Sequence, residues 1–577
     1  MDRSRQWVTM LRQEFAGYNR KRFQHDLIAG MTVAAVCLPM ALAYGIAGGM
    51  TAAAGLVTAI LAGVITGVLG GSSFQISGPT GAMSAVLLVV LHRNGILGVY
   101  GATVLGGIFL MVMGVLRFGR YVVFIPTPVI TGFTCGIALI IGISQIDPML
   151  GVHTPLAETG IAKISGYFML PLAINSSALV LTIATVFILL LSKRYLPHIP
   201  DALVAMALMT GTSWLFALPV ETIGELPHTI LLSDHLSLDA FPWSAWRDVG
   251  SAGFTIAALA AIESLMTGTA GAAMSGKSFD ADQELIAQGA ANLLVPWFGG
   301  VPSSAAISRT AVAIRNGAQT RLTSIIHGVI LVSCVFVMGP VIAAVPMASL
   351  AGVLLWTAWN MCDWHTLHRF WHARLTHPWV VVLITLGGML VLDVSQAILI
   401  GIAVSALVHI RHAAEAASVT IGPVDAGRMP SAGFAASCPG VRVAYINGAL
   451  FFGNAVTVQQ QLHQADGCHT LVMSMRGVPS IDVQAADVLH AAIRRIVDND
   501  GIVYLAGVQP AVRTVMDKVG ISADIGETQY CWDVASALQR IHDEIGAHGC
   551  LRCEERASAL SVTEVSAAGT GTRQPGG

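Results

Sequence analysis

The chain has 577 residues, of which 54% are hydrophobic and only 11% are charged, and its formal net charge is -2. Soluble domains carry about 25% charged residues, so this composition excludes an ordinary soluble protein. The near-neutral charge, without a basic domain, also excludes nucleic acid as a partner. The apolar residues form blocks of about 20, the length that crosses a lipid bilayer. We therefore predict an integral, multi-pass membrane protein.

The first segment, residues 1–26, is polar and basic and has no cleavable signal peptide. Hydropathy then predicts about fourteen spans within residues 27–412. Lys and Arg cluster in every second loop, as at Arg117 and Arg120, which places both termini in the cytoplasm at a cell inner or plasma membrane. An even count made of two halves of about seven spans implies an inverted repeat.

Two polar interruptions break the apolar region at matching places in the two halves. They are residues 70–82 (GGSSFQISGPTGA), with strand-like alternation at Phe74 and Ile76, and residues 299–310 (GGVPSSAAISRT). Non-helical backbone at membrane depth must be buried in protein or line an aqueous cavity. Paired interruptions of this kind indicate a transporter's binding site, although each alone is also typical of a surface loop. A half-helix starting near residues 79–81 and another near 304–308 would present free N–H groups that favour an anion.

Charged groups inside the apolar region are functional hypotheses, because burying a charge in a bilayer is costly. Glu263 has no basic neighbour in sequence, and Thr267 lies one turn away on the same helix face. We expect Glu263 to bind a proton near neutral pH or to ligate Na⁺ with Thr267, unless it is a structural, hydrogen-bonded carboxylate. Arg309 adds positive charge at the second interruption or else snorkels to a helix end.

Other candidates carry weaker signals. Asp147 and Asp393 lie near span ends and are expected to be solvated caps. Met40 and Tyr44 are candidates for lining the anion cavity, and Met40 is at least as well explained by packing. The apolar setting of Cys37, Cys135 and Cys334 predicts free thiols. Cys550 and Cys553, near His542 and His548, form a lone CxxC motif, which is a weak signal for a metal site.

The C-terminal third changes pattern from apolar blocks to alternating short strands and helices. Residues 413–440 are rich in small residues and Pro and are predicted to be a linker. Residues 441–546 predict a small mixed sheet covered by helices. Residues 547–577 are small and polar and are predicted to be disordered.

Several motifs together resemble the SulP anion-transporter family, which includes prestin, pendrin and plant sulfate transporters. They are residues 38–44 (LPMALAY), 77–80 (SGPT), 125–133 (IPTPVITGF), 284–289 (ELIAQG) and 307–310 (ISRT), and residues 441–545 resemble a STAS domain. The resemblance implies a seven-plus-seven inverted repeat with a core and a gate domain, two half-helices preceded by short strands, a cytoplasmic STAS domain, and a homodimer.

The resemblance also implies where ligands bind. The anion would lie between the N-termini of the third and tenth membrane-spanning helices of the family. Backbone at Thr80, Gly81, Ala306 and Ile307 would contact it, together with Ser308. Arg309, Tyr44 and Met40 would lie in the same cavity. Glu263 and Thr267 match positions where relatives bind sodium or carry a proton-linked Glu. Two departures stand out. Met40 replaces the family's Gln beside the substrate, and Val483 replaces the phosphorylatable residue of related STAS regulators.

The main functional hypothesis is a secondary active transporter of sulfate, bicarbonate or a dicarboxylate, a symporter coupled to H⁺ or Na⁺ through Glu263, with no other cofactor. The alternatives are an uncoupled anion channel or chloride/anion exchanger, and a membrane sensor whose STAS domain binds a cytoplasmic partner. An enzyme is not expected, because no nucleophile–base pair, phosphate loop or metal cage appears.

Overall fold

The computed structural model describes residues 3–124, 126–154, 160–169, 173–195, 200–224, 229–237, 246–392, 394–424, 440–465 and 468–545. The chain divides into two compact units, Met1–Ser405 and Ala406–Gly577. The predicted sites at Asp393, Cys550 and Cys553 lie outside the described residues.

The first unit is built from helices, with two very short strands. Its first half contains α1 (Arg3–Phe15), α2 (Arg20–Ala47), α3 (Ala52–Leu69), β1 (Ser77–Gly78), α4 (Gly81–Val115), α5 (Thr127–Ser144), α6 (Ile146–Leu150), α7 (Gly160–Met169), α8 (Ser176–Tyr195) and α9 (Asp201–Leu215). Its second half contains α10 (Trp246–Ser275), α11 (Ala281–Leu294), β2 (Ser304–Ala305), α12 (Ile307–Arg315), α13 (Leu322–Ala343), α14 (Met347–Met361), α15 (Trp364–His372), α16 (Thr376–Val391) and α17 (Val394–Ala416), the last of which continues into the second unit.

Helix length separates full spans from shorter pieces. Among the described residues, eight helical segments are long and apolar enough to cross a membrane. The helix after the second interruption, α12, has only 9 residues. At 1.5 Å per residue it covers less than half of a hydrocarbon core about 30 Å thick. The residues that follow the first interruption belong to one long helix, α4, in which the chain turns at Gly95, where φ is 66°.

The two polar interruptions meet as one antiparallel ribbon. Ser77 pairs with Ala305 and Gly78 with Ser304. The predicted strand-like alternation at Phe74 and Ile76 therefore lies just before the strand itself, and both side chains are buried. The second half-helix begins at Ile307, within the predicted range 304–308, and Ser304 and Ala305 before it belong to β2.

A disulfide corrects one cysteine prediction. Cys135, expected to be a free thiol, is bonded to Cys362, which joins α5 to the residue that follows α14. The two positions are 227 residues apart, so the pattern around Cys135 alone carried no sign of the pairing. Cys37 and Cys334 are free, as predicted.

The second unit contains a five-stranded mixed sheet in the order β3–β4–β5–β6–β7. Its elements are β3 (Ser418–Pro423), β4 (Val441–Asn447), α18 (Ala455–Leu462), β5 (Thr470–Gly477), α19 (Val483–Val497), β6 (Ile502–Ala506), α20 (Pro510–Val519), α21 (Ile521–Ile525), β7 (Tyr530–Cys531) and α22 (Val534–Ile545). The β3–β4 pair is antiparallel and the other pairs are parallel.

The prediction that residues 413–440 form a linker is wrong for its first part. Residues up to Ala416 continue α17, and β3 forms an edge strand paired with β4 along its whole length. The segment was missed because its Gly and Pro suggested a loop, whereas an edge strand tolerates both residues. Apolar side chains cover both faces of the sheet: Leu471 and Met473 pack on one side, and Val472 and Tyr504 on the other.

Candidate functional site

The candidate site lies where two helices begin beside the β1–β2 ribbon. Thr80 is the extended N-cap residue of α4, and its Oγ1 accepts a hydrogen bond from Met83 N at 3.4 Å. Ala306 is the extended N-cap residue of α12, and no side chain caps that helix. The first N–H groups of a helix have no partner inside it and carry partial positive charge. Because the ribbon joins the two starts, both sets of N–H groups lie in one region, an arrangement that suits an anion.

Glu263, on α10, contacts the N-cap residue of α4 and the strand β2 that precedes α12. Thr80 Oγ1 donates to Glu263 Oε2 at 2.8 Å, and Ser304 Oγ donates to the same oxygen. The two hydroxyl oxygens are 3.0 Å apart. Glu263 has no basic neighbour in sequence, and the hydroxyl groups that contact it come from residues far away in the chain. Ser304, which the sequence pattern did not single out, is part of this cluster because it pairs with Gly78 in the ribbon.

The next turn of α10 holds the ribbon in place. Ala305 N donates to Ser264 Oγ at 3.1 Å, and Thr267 Oγ1 donates to Ala305 O at 3.4 Å. Gln75 Nε2 donates to Ser264 O at 3.0 Å. Thr267 and Glu263 therefore both form hydrogen bonds with β2: Thr267 bonds to Ala305, and Glu263 bonds to Ser304. These contacts bring carboxylate, hydroxyl and carbonyl oxygens close together.

Arg309 points towards the first half-helix. Its side chain is only 1% exposed, and its Nη2 donates to Pro79 O at 2.6 Å. The alternative in which Arg309 snorkels to a helix end is therefore wrong. The backbone at Gly78 lies against the guanidinium, since a Cβ there would be 2.5 Å from Arg309 Nη1. The arginine thus brings a positive charge to the residue that precedes Thr80.

The remaining predicted residues differ in exposure. Tyr44 and Gly81 are buried, Met40 and Ala306 are half-buried, and Ile307 and Ser308 are exposed. A Cβ at Gly81 would be 2.5 Å from Ile141 Cδ1, 3.2 Å from Tyr44 Cε1 and 3.4 Å from Met361 Sδ. Ile141 and Met361 were not predicted from the sequence, because an apolar residue in an apolar helix gives no signal of its position.

A polar face of α11 supports the ribbon from behind. Glu284, Gln288 and Asn292 are spaced four residues apart and are all buried. Glu284 accepts from Gly71 N at 3.0 Å, and Gln288 Nε2 donates to Ser77 Oγ at 2.6 Å. Asn292 bonds both backbone groups of Ser303, at 2.8 and 2.9 Å. Each turn of the helix therefore fixes a different part of the two interruptions.

Asp147 is not the solvated cap that we expected. Its carboxylate accepts hydrogen bonds from Lys163 Nζ at 2.6 Å, Tyr167 OH at 2.7 Å and Thr154 Oγ1 at 2.8 Å. These contacts connect α6 to α7 and lie beside a cavity of about 550 Å³. The residue is structural in character, because protein donors occupy its oxygens.

Comparison with known proteins decides the family. The profile described as the sulfate permease family matches residues 23–385, well over half of the chain. The chain belongs to the sulfate permease family. The STAS domain profile matches residues 435–545 of this chain. Members of the family are transporters, so the protein is not an enzyme.

Similar proteins extend this result. YvdB of Bacillus subtilis (strain 168), which bears the name of a sulfate transporter, is 31% identical, and the match covers 89% of this chain and 97% of that protein. The bicarbonate transporter BicA of Picosynechococcus is 27% identical, over 86% of this chain and 91% of that protein. The solved transmembrane domain of a cyanobacterial BicA matches with a TM-score of 0.61, 27% identity and coverage of 67% of this chain and 98% of that domain.

A more distant structure shares the fold of the whole chain. The structure of SLC26A9 matches with a TM-score of 0.82, at 17% identity, over 95% of this chain and 96% of that one. The helical membrane fold with a C-terminal STAS domain is thus confirmed, whereas the number of spans stays a prediction.

Proposed function

We propose that this protein is a secondary active transporter of a small anion, coupled to H⁺ or Na⁺ through Glu263. The observation that carries the proposal is the contact of one carboxylate with Thr80, the N-cap residue of the first half-helix, and with Ser304, in the strand that precedes the second. A cation that binds or leaves Glu263 changes the charge beside the anion directly. This proximity is what coupled transport of an anion and a cation requires.

The charge balance supports an anion of small size. Each helix N-terminus contributes roughly half a positive charge, and Arg309 contributes one more. Ionised Glu263 offsets about one of these charges, so neutralising it with H⁺ or Na⁺ strengthens anion binding. We assign the anion to the N–H groups of Thr80, Gly81 and Ile307, together with Ser308. The N–H of Ala306, which was also predicted to contact the anion, donates instead to Ile76 O at 3.2 Å within the ribbon.

The substrate class follows from this geometry and from the relatives. Backbone N–H groups suit any compact anion, and the relatives bear the names of sulfate and bicarbonate transporters. We propose these two anions first and keep a dicarboxylate as a third candidate. Ile141, Tyr44 and Met361 crowd the space at Gly81, which favours a small substrate over a bulky one.

The transport cycle is proposed to be alternating access in the inner or plasma membrane, with cytoplasmic termini and a homodimeric assembly. Thr267 is proposed as a second oxygen ligand if the coupling ion is Na⁺, because Na⁺ requires several oxygens and Thr267 lies one turn from Glu263. If the ion is H⁺, Glu263 alone is sufficient.

The deciding experiment is uptake of radiolabelled sulfate or bicarbonate into proteoliposomes that contain the full chain. We expect an inward gradient of H⁺ or of Na⁺ to drive accumulation, and Glu263→Gln to abolish that drive. Glu284→Gln is the matched control, because Glu284 is also a buried carboxylate but contacts neither half-helix start. It should keep the response to the gradient even if its protein yield falls.

Three other results would overturn the coupling assignment. Anion flux that follows only the anion gradient, in the original protein as well as in Glu263→Gln, would indicate a channel or an exchanger. Anion binding without any flux would indicate a sensor that acts through its STAS domain. Gradient-driven uptake that survives Glu263→Gln would show that another group carries the cation.

A further inference from the structure

A short helix that begins three residues after Met361 carries an unusual set of histidines. The helix α15 connects α14 to α16, and His365, His368 and His372 are all exposed on it. Its buried residues are Thr366 and Phe370, which anchor the opposite side. The histidines are therefore not needed for packing and are available to a ligand.

Two of these histidines already lie face to face. His368 and His372 are four residues apart, which places them on the same helix face. Their ring centroids are 3.9 Å apart and the ring planes differ by 29°. Two imidazole nitrogens bound to one tetrahedral Zn²⁺ lie about 3.3 Å apart, given Zn–N distances of about 2.0–2.1 Å. The separation of the two rings is therefore comparable with the spacing that a shared metal ion requires.

The hydrogen bonding of His372 is that of a metal ligand. Its Nδ1 lies 3.1 Å from the main-chain oxygen of His368, and a carbonyl oxygen can only accept. The ring therefore carries its proton on Nδ1, and Nε2 keeps a free lone pair. Metal-bound histidines commonly donate their other ring N–H to a carbonyl in this way, which fixes the tautomer and the ring orientation.

We propose that His368 and His372 form a chelating site for a divalent transition-metal ion of the zinc, nickel and copper class. Imidazole nitrogen suits these ions. In the described part of the chain no three metal-ligating side chains converge, so the pair supplies two ligands and water completes the coordination. The site is separate from the Glu263 cluster and does not depend on the proposed transport function.

The test is Zn²⁺ binding by the tag-free, full-length protein in detergent, measured by equilibrium dialysis at micromolar metal. Every variant carries Cys550→Ser and Cys553→Ser, so that the CxxC motif contributes nothing. We expect His368→Gln and His372→Gln each to weaken Zn²⁺ binding at this site by at least about tenfold. Removing a hydrogen-bond partner behind a metal ligand already lowers metal affinity by about tenfold or more, and removing the ligand itself should cost at least as much.

Matched controls separate chelation from a general histidine effect. His365→Gln removes an exposed histidine of the same helix and should leave Zn²⁺ binding unchanged. Adding Ala373→His to His372→Gln restores the number of histidines at a spacing of five residues, which turns the new ring away from His368, and should not restore binding. Unchanged affinity in His368→Gln, or rescue by Ala373→His, would overturn the site.

A spectroscopic measurement on the double-serine protein does not depend on how the histidine variants fold. With one equivalent of Cu²⁺, electron paramagnetic resonance should show coordination by two imidazole nitrogens. A spectrum with a single nitrogen ligand would contradict the chelate.

Discussion

Arg309 donates a hydrogen bond to the main-chain oxygen of Pro79 across 2.6 Å, which joins the first turn of α12 to the residue before the N-cap of α4. A buried guanidinium therefore contacts both half-helices: Arg309 lies in the second, and its side chain is hydrogen-bonded to the residue just before the first. The position of this charge depends on the absence of a side chain at Gly78, whose backbone lies against Nη1.

Gly78→Ala should displace Arg309 and weaken anion binding. The added Cβ would lie 2.5 Å from Nη1, closer than real contacts allow. A hydrogen bond from a charged group contributes about 1.5–3 kcal/mol, so we expect the anion dissociation constant to rise about tenfold or more. Gly142→Ala is the control, since a Cβ there meets nothing within 4 Å. Equal affinity in Gly78→Ala and the original protein, measured by calorimetry with sulfate and bicarbonate, would contradict this role.

Ser304→Ala should change coupling more than maximal uptake. The substitution removes one hydroxyl that contacts Glu263 and leaves the Thr80 hydroxyl in place. A hydrogen bond is worth about 0.5–1.5 kcal/mol, which predicts a shift of about two- to tenfold in the cation concentration for half-maximal uptake. Ser333→Ala, an exposed serine bonded only to its own helix, is the comparison variant. If both variants respond alike to the cation, Ser304 has no part in coupling.

Asn292→Leu should destabilise the first unit. The side chain satisfies the N–H and the C=O of Ser303, which are buried, and leucine can satisfy neither. An unsatisfied buried polar group costs about 1–3 kcal/mol, so the two together predict a loss of about 2–6 kcal/mol. Thermal unfolding in detergent would measure it. Asn360→Leu, at an exposed site bonded to its own helix, should change the melting temperature far less.

Asp524 predicts how the STAS domain responds to acid. Hydrogen bonds from Arg494 and His490 lower the pKa of Asp524 to about 2. Because the folded pKa lies below the ordinary aspartate value of about 3.9, the carboxylate stabilises the fold fully above that value. The stabilisation is lost as pH falls through the range between about 3.9 and about 2.

Asp524→Asn tests this in the full chain by hydrogen exchange over residues 483–525, corrected for intrinsic rates. We expect weaker protection than in the original protein, with a constant difference from about pH 7 to pH 5 that shrinks below about pH 4. Asp543→Asn, on α22, is the control, because its carboxylate lies outside the contact between α19 and α21. A difference that grows with acidity would contradict the lowered pKa of Asp524.

The sequence was informative wherever the pattern is local. The interruptions at residues 70–82 and 299–310 predicted the two helix starts, and the alternation after residue 441 predicted a mixed sheet covered by helices such as α19. Both depend on periodicity and on Gly, Pro and Ser within a few positions, which act through the backbone of the same segment.

Contacts between distant segments could not be predicted in this way. The Glu263 carboxylate meets Thr80 across 183 residues, and that distance in sequence hid the partner. The place of Ser304 beside Glu263 follows from its pairing with Gly78, which the sequence pattern did not indicate. Met361 and Ile141 approach Gly81 through the packing of three helices, and an apolar pattern does not specify which of its members faces a site.

The small ribbon of Ser77–Gly78 and Ser304–Ala305 has a wider consequence. Main-chain pairing, together with the α11 contacts behind it, sets the spacing of the two helix starts regardless of which side chains surround them. Relatives that prefer different substrates can therefore share the same spacing and differ in the residues around it. Exchanges at Met40, Tyr44, Ile141 and Met361 are accordingly the first places to look for a change of preferred anion.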